Sequence, residues 1–126
     1  MIAYLDTDTL VRLALGRPRL ISREASKLIQ RAELRLSPMV LVELEYLYEI
    51  GRLKVRSRDI HIKAEHELGL KLCELPFAAV ASAAIDEKWT RDVFDRIIVA
   101  NARVNGLALL ISADEKVQKN YPRTVW

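Results

Sequence analysis

Four acidic residues, Asp6, Glu43, Asp95 and Asp114, each stand where an apolar stretch meets a helix start or a loop. A carboxylate is costly to place beside a core, so repeated placement there asks for a compensating ligand. A shared hard cation is the economical one: oxygen donors from separate elements converge and hold Mg²⁺ or Mn²⁺. The chemistry that follows is hydrolysis of a phosphodiester by metal-activated water. Structural readings compete at each position. N-capping accounts for Asp92 fully and could account for Asp114. Glu43 and Asp95 resist it, being embedded in Val42-Glu43-Leu44 and in Phe94-Asp95 ahead of Ile97-Ile98. Asp92 and Asp95 are three residues apart and so share one helix face. Arg96 could pair with a carboxylate or stand near a phosphate.

The elements that must position these groups follow from periodicity and punctuation. Residues 2–5 read as a short buried strand ending at Asp6, followed by a helical stretch from Thr7 or Asp8 to near Gly16. Ser22 caps a helix running through residue 33, on the spacing of Ala25, Leu28, Ile29 and Ala32. Residues 34–36 form a second strand. Ser37-Pro38 then starts a helix that ends near Ile50 at Gly51. That helix is apolar all round, which predicts burial in the core or against a partner. Ser57 caps a further helix to about Leu68, and Leu70, Leu72 and Leu75 mark a third strand closed by Pro76. Residues 77–87 are Ala-rich and helical, Asp92 caps a helix to Asn105, and residues 107–111 form the clearest strand. A short helix from Asp114 and an edge strand over 124–126 complete the chain. Alternating strands and helices predict an α/β, three-layer α/β/α sandwich with a mainly parallel sheet. Ligands bind beyond the carboxyl ends of such strands, where Asp6 and Asp114 fall.

Composition sets the class. The chain of 126 residues is read as one domain over 1–126, with 51% hydrophobic and 29% charged residues. No run approaches the roughly 20 apolar residues of a membrane span. The first residues lack a basic segment and a cleavage site, which predicts a strand and no leader. A single cysteine, Cys73, fits a reducing compartment, the cytosol, and reads as a small buried strand residue. Net charge is +3, unevenly spread: residues 1–63 carry 12 Lys/Arg against 8 Asp/Glu, residues 64–126 carry 8 against 9. Arg12, Arg17, Arg19 and Arg23 form one basic group, and Arg52, Lys54, Arg56 and Arg58 another. Either group could neutralise phosphates or simply be a solvated face. His61 and His66, five residues apart, are poorly placed for a zinc site. Trp89 and Trp126 read as packing residues.

The chain resembles the PIN-domain ribonucleases, and particularly the VapC-type toxins of bacterial and archaeal toxin–antitoxin pairs. Tyr4-Leu5-Asp6-Thr7-Asp8-Thr9-Leu10 looks like that family's opening strand ending in Asp-Thr. The stretch from Ser37 to Glu43-Leu44 is similar to its second acidic motif. Arg91-Asp92-Val93-Phe94-Asp95-Arg96-Ile97 is close to an Arg-Asp-Pro-Phe-Asp-Arg motif, and Leu110-Ile111-Ser112-Ala113-Asp114-Glu115 resembles the last. Val93 stands where Pro is usual, Asp8 where Asn or Ser is, and Ser112 where Thr is common; no carboxylate is lost. The resemblance implies a PIN-like fold and a Mg²⁺- or Mn²⁺-dependent endoribonuclease acting on structured RNA such as tRNA or rRNA. In it Asp6, Asp95 and Asp114 hold metal, and Glu43 orients metal or water. Thr7 and Asp92 support the site, and a cognate antitoxin silences it. It also implies a homodimer. Arg12, Arg17 and Arg19 are candidates to grip the RNA backbone, and the apolar helix from Pro38 could contact a second copy or an antitoxin helix.

Two other classes stay open on the residues. Asp6-Thr7-Asp8-Thr9 also fits the opening of haloacid-dehalogenase-like phosphatases, with Asp6 as nucleophile and Asp8 as acid. That family wants a later Lys and a glycine-containing acidic motif, whereas the late strand leads into Ser112-Ala113-Asp114-Glu115. A non-catalytic RNA- or protein-binding module is the other, and metal binding separates it from an enzyme.

Overall fold

The computed structural model describes residues 1–126. Five strands form one sheet in the order β3-β2-β1-β4-β5: β1 Ile2–Leu5, β2 Glu33–Leu36, β3 Lys71–Leu72, β4 Leu109–Ile111 and β5 Thr124–Val125. Every pairing is parallel. Seven α-helices connect and cover them: α1 Thr7–Ala14, α2 Arg23–Arg31, α3 Pro38–Glu49, α4 Ser57–Leu68, α5 Phe77–Ala84, α6 Val93–Val104 and α7 Glu115–Asn120. The result is the three-layer α/β/α sandwich that the alternation of elements predicts. No helix is long and apolar enough to cross a membrane.

Burial explains the central strands. Ala3, Tyr4 and Leu5 of β1 are buried on both faces of the sheet, as are Leu110 and Ile111 of β4, so neither strand alternates. Between the strands, the local caps work as read. Ser22 Oγ accepts from Ala25 N at 3.1 Å, and Ser37 Oγ accepts from Met39 N at 3.2 Å ahead of Pro38.

Several boundaries differ from the sequence reading for identifiable reasons. The fourth strand begins at Leu109 and not at Leu107, because Gly106 and Leu107 both adopt left-handed backbone (φ 63° and 54°). The helix read over 77–87 stops at Ala84, and Glu87 lies in the turn beyond it. Ser57 is the first residue of α4, not its cap. Its hydroxyl donates to Leu41 O at 2.7 Å, and Glu45 of α3 accepts its backbone N–H at 3.3 Å. The burial read for α3 is met within the chain on one side only: Val40 and Leu44 are buried, while Val42, Tyr46 and the capping Ile50 are 57%, 47% and 48% exposed. An apolar helix at the edge of a small domain finds too few neighbours to cover every side.

One buried polar chain sets the mutual position of two helices. Ser37 Oγ and Asn101 Oδ1 meet at 2.5 Å, and Asn101 Nδ2 donates to Cys73 Sγ at 3.2 Å. All these groups are buried and none is left without a partner. The start of α3 is thereby fixed against the middle of α6.

Candidate active site

Register brings the first and last acidic positions, Asp6 and Asp114, to the same end of the sheet. Leu5 pairs with Ile111, so the chain leaves both strands at the same level and Asp6 emerges beside Ser112. This is also where the strand order turns back, with the chain moving from β1 to β2 on one side while β4 lies on the other. Such switch points open crevices at the carboxyl ends of strands. Asp6 N donates to Ile111 O at 3.2 Å, and the Thr9 hydroxyl donates to the same carbonyl at 3.1 Å.

Three of the acids do cap helices. Asp6 Oδ1 accepts from Thr9 N at 2.9 Å at the start of α1. Asp92 Oδ1 accepts from Asp95 N at 3.1 Å at the start of α6. Asp114 Oδ1 accepts from Lys116 N at 2.8 Å and Val117 N at 3.3 Å at the start of α7. Capping occupies one oxygen of Asp114 and leaves the other free. A cap and a ligand are therefore compatible, and the helix N-termini favour negative charge here. Glu43, in the second turn of α3, is held differently: it accepts a hydrogen bond from the Thr7 hydroxyl.

Sequence reasoning passed over two positioning residues. Ser112 Oγ accepts from Asp114 N at 3.1 Å, and Thr90 Oγ1 accepts from Asp92 N at 3.1 Å. Both hydroxyls are buried, two residues ahead of a capping Asp. The shared Ser/Thr-x-Asp spacing of residues 90–92 and 112–114 was the available signal, since short hydroxyl side chains readily bond backbone two residues on. The Ser112 hydroxyl also lies near enough to Asp6 to favour its ionised form.

The electrostatics show that the carboxylates converge. Burial is the largest influence on Asp95, followed by the charges of Asp92, Glu43, Asp114 and Asp6, and its pKa rises to about 7. Glu43 is raised by burial and by Asp92 and Asp6, against the opposing bond from Thr7. Asp6 is raised by burial, opposed by its bonds from Ser112 and Thr9. No ion pair of the molecule involves Asp6, Glu43, Asp92, Asp95 or Asp114. Arg96, read as pairing with a carboxylate or standing near a phosphate, makes no ion pair and donates from Nε to Thr90 O at 2.8 Å, bracing the loop before α6.

An all-oxygen, multiply anionic donor set on four elements suits a hard divalent cation. No three His, Cys, Asp or Glu side chains close into a ready-made cage.

The basic candidates lie elsewhere. Arg12 is engaged: it donates to Leu20 O at 2.7 Å, pairs with Asp8 at 2.9 Å and stacks over Trp126 at 5.2 Å. Arg17 and Arg19 are exposed beyond the far end of α1, roughly 15 Å from Asp6 by helix rise. Asp8, the acid that the phosphatase reading needs beside Asp6, is 60% exposed in its pair with Arg12.

The PIN domain family model matches residues 3–123 of the chain. Among solved structures, the chain is similar to one in VapBC2 from Rickettsia felis bound to a DNA fragment from their promoter, at 18% identity and TM-score 0.66, covering 99% of this chain and 96% of that one. It is similar, again at 18% identity and TM-score 0.66, to a chain of a toxin–antitoxin complex from Klebsiella pneumoniae, covering 98% and 96%. At that identity the likeness is one of fold. No curated protein matches. The family match covers the acidic cluster and strands β2 to β4 with all of β1 but its first residue, and the chain belongs to the PIN-domain family.

Proposed function

We propose that the chain is a Mg²⁺- or Mn²⁺-dependent endoribonuclease, the toxin of a toxin–antitoxin pair, hydrolysing phosphodiester bonds in structured RNA such as tRNA or rRNA. The observation that carries this is Asp95: its carboxylate is pushed to about 7 by burial and four acidic neighbours, and no cation of the chain relieves it. Asp6, Asp95 and Asp114 would hold the metal, which when bound supplies the charge that activates water and stabilises a leaving oxygen. Glu43, steadied by Thr7, orients the water and can take up a proton, since burial and its acidic neighbours raise its affinity for one. Asp92 and Thr90 fix the first turn of α6, and Asp114 and Ser112 fix that of α7.

The similar structures support a protein partner for this chain. Both similar structures are toxin–antitoxin assemblies, and an antitoxin chain would silence this one. A homodimer would cover part of the exposed apolar side of α3. Arg17 and Arg19 would reach RNA away from the cut, whereas Arg12 serves the fold.

The test is incubation of a total tRNA and rRNA pool with the purified chain in Mg²⁺, in Mn²⁺ and in EDTA, beside Asp95→Asn. Cuts at discrete positions, dependent on metal and lost in the variant, are the expected result. A folded, antitoxin-free chain that leaves all RNA intact but hydrolyses a small phosphomonoester would instead make Asp6 a nucleophile.

A further inference from the structure

Residues 87–92 join the two ends of α6 along one side of that helix. Arg96 and Arg103 are seven residues apart, about two helical turns, so their side chains share a face. Each turns its Nε toward this segment: Arg96 donates to Thr90 O at 2.8 Å and Arg103 to Glu87 Oε1 at 2.6 Å. Between these two points Trp89 Nε1 donates to Glu87 Oε2 at 2.6 Å, and Arg91 donates from one Nη to Lys88 O at 3.1 Å. Glu87 and Thr90 are both buried, and each oxygen of the Glu87 carboxylate is engaged. From Thr90 the bonds continue to Asp92 N and, through Asp92 Oδ1, to Asp95 N. Hydrogen bonds and the short backbone between them thus connect the last turn of α6 to the acid in its first turn, roughly 12 Å away along the axis.

We infer that Arg96 and Arg103 are positioning residues for the acidic cluster: by pinning residues 87–92 to α6 they keep Asp92 and Asp95 in place for a divalent cation. This rests on the metal-site reading. Asp92 is exposed at the end of the segment, and its charge bears on both Glu43 and Asp95. Like charges favour separation, so the loop that carries Asp92 is pressed toward solvent unless it is held. A bond from a guanidinium to a carbonyl is stronger than one between neutral groups and supplies that hold. Arg96 forms no ion pair, so its donor serves the loop and not an acid. At the far end Arg103 neutralises Glu87, which allows the anchor itself to be buried. Glu87 is no part of the acidic cluster, yet a change there is felt at Asp95.

The experiment follows amide exchange by NMR in the metal-free chain, and Mn²⁺ binding by electron paramagnetic resonance. Arg96→Ala should speed exchange of the Asp92 and Asp95 amides about 10-fold and weaken Mn²⁺ binding on the order of 10-fold. The Ala32 amide, which closes α2 on Leu28 O, is the reference and should not move. Arg96→Lys keeps a charged donor and should recover most of both effects. Glu87→Gln offers one acceptor oxygen where Glu offers two, so the bond from Arg103 or that from Trp89 is lost. It should move the same two amides and the Mn²⁺ affinity in the same direction. If Glu87→Gln lowers only the melting temperature, with both amides and Mn²⁺ affinity as in the parent, the inference is overturned. It is also overturned if Arg96→Ala raises KM for RNA and leaves the amides and Mn²⁺ affinity unchanged, for Arg96 would then grip a phosphate. The two readings fail separately. A parent chain that binds no Mn²⁺, while Arg96→Ala still loosens the two amides, sinks only the metal site. Mn²⁺ bound equally by the parent and both variants sinks only the positioning role.

Discussion

The two ends of α6 solve the problem of a sheltered carboxylate in opposite ways. At its C-terminal end Glu87 is 3% exposed, yet it accepts from Trp89 Nε1 at 2.6 Å and from Arg103 Nε at 2.6 Å. Arg103 in turn stacks over Tyr121 at 5.0 Å, and the Tyr121 hydroxyl donates to Ala108 O at 2.5 Å. At the N-terminal end Asp92 and Asp95 join Asp6, Glu43 and Asp114, with no basic side chain in an ion pair with any of them. One end is a closed set of partners; the other is left with unbalanced charge. The same fold places an Arg beside a buried acid at one end and none at the other, as the proposed metal site requires. Charge left unbalanced in this way costs stability and is retained where an external cation is bound.

The contrast is testable at several strengths. The largest expected effect is on activity: if Asp95 holds the metal as proposed, Asp95→Asn should lower RNA cleavage on the order of 1,000-fold, since such a ligand is worth several kcal/mol of charge stabilisation. The same change relieves repulsion, so the metal-free variant should melt a few degrees higher than its parent, on the order of 4 °C per kcal/mol. A lower melting temperature would break the comparison. At the other end, Arg103→Ala should destabilise the fold by about 3 kcal/mol, since it strands Glu87 without its charged partner. A shift of the denaturant midpoint at unchanged slope reads this out.

The pH dependence of stability sharpens the difference further. Asp95 ionises near 3.8 in an unfolded chain but near 7 in the folded one. Between those values the folded state binds more protons, so stability falls as pH rises from about 4 through about 7. The decline should be of order 2 kcal/mol, allowing for partial solvent screening. Melting curves between pH 4 and 8 in EDTA should show it, and millimolar Mn²⁺ should flatten it. Stability that climbs over this window without metal would contradict the cluster's unbalanced charge. The smallest effect concerns Thr7→Val, which deletes the hydroxyl bonded to Glu43. Cleavage should drop roughly 10-fold, as when a residue orienting a catalytic group is lost, with the melting temperature nearly unchanged.

Much of this was readable beforehand, and the residues show why. Asp6, Asp92 and Asp114 were recognisable because an Asp at a helix start is a local signal, carried by three or four consecutive residues. Ser37-Pro38 announced α3 for the same reason. Glu43 and Asp95 stood out by being acidic within apolar runs. The carboxylate pairing read for Arg96 fails because its partner is the backbone of Thr90, six residues back and reachable only in the folded loop. Ser57 misled because the group that satisfies its N–H, Glu45, comes from another helix.

The sequence by itself determined the order of strands and helices, the caps and the identity of the acids. All of these are short-range properties of the backbone and of side chains a few residues apart. Only the tertiary structure decided that Leu5 pairs with Ile111, that Ser37 meets Asn101, that Glu87 receives Arg103 and that one side of α3 stays uncovered. Register, burial and the partner of a charge depend on which distant surfaces pack together, and packing is settled by the whole core at once.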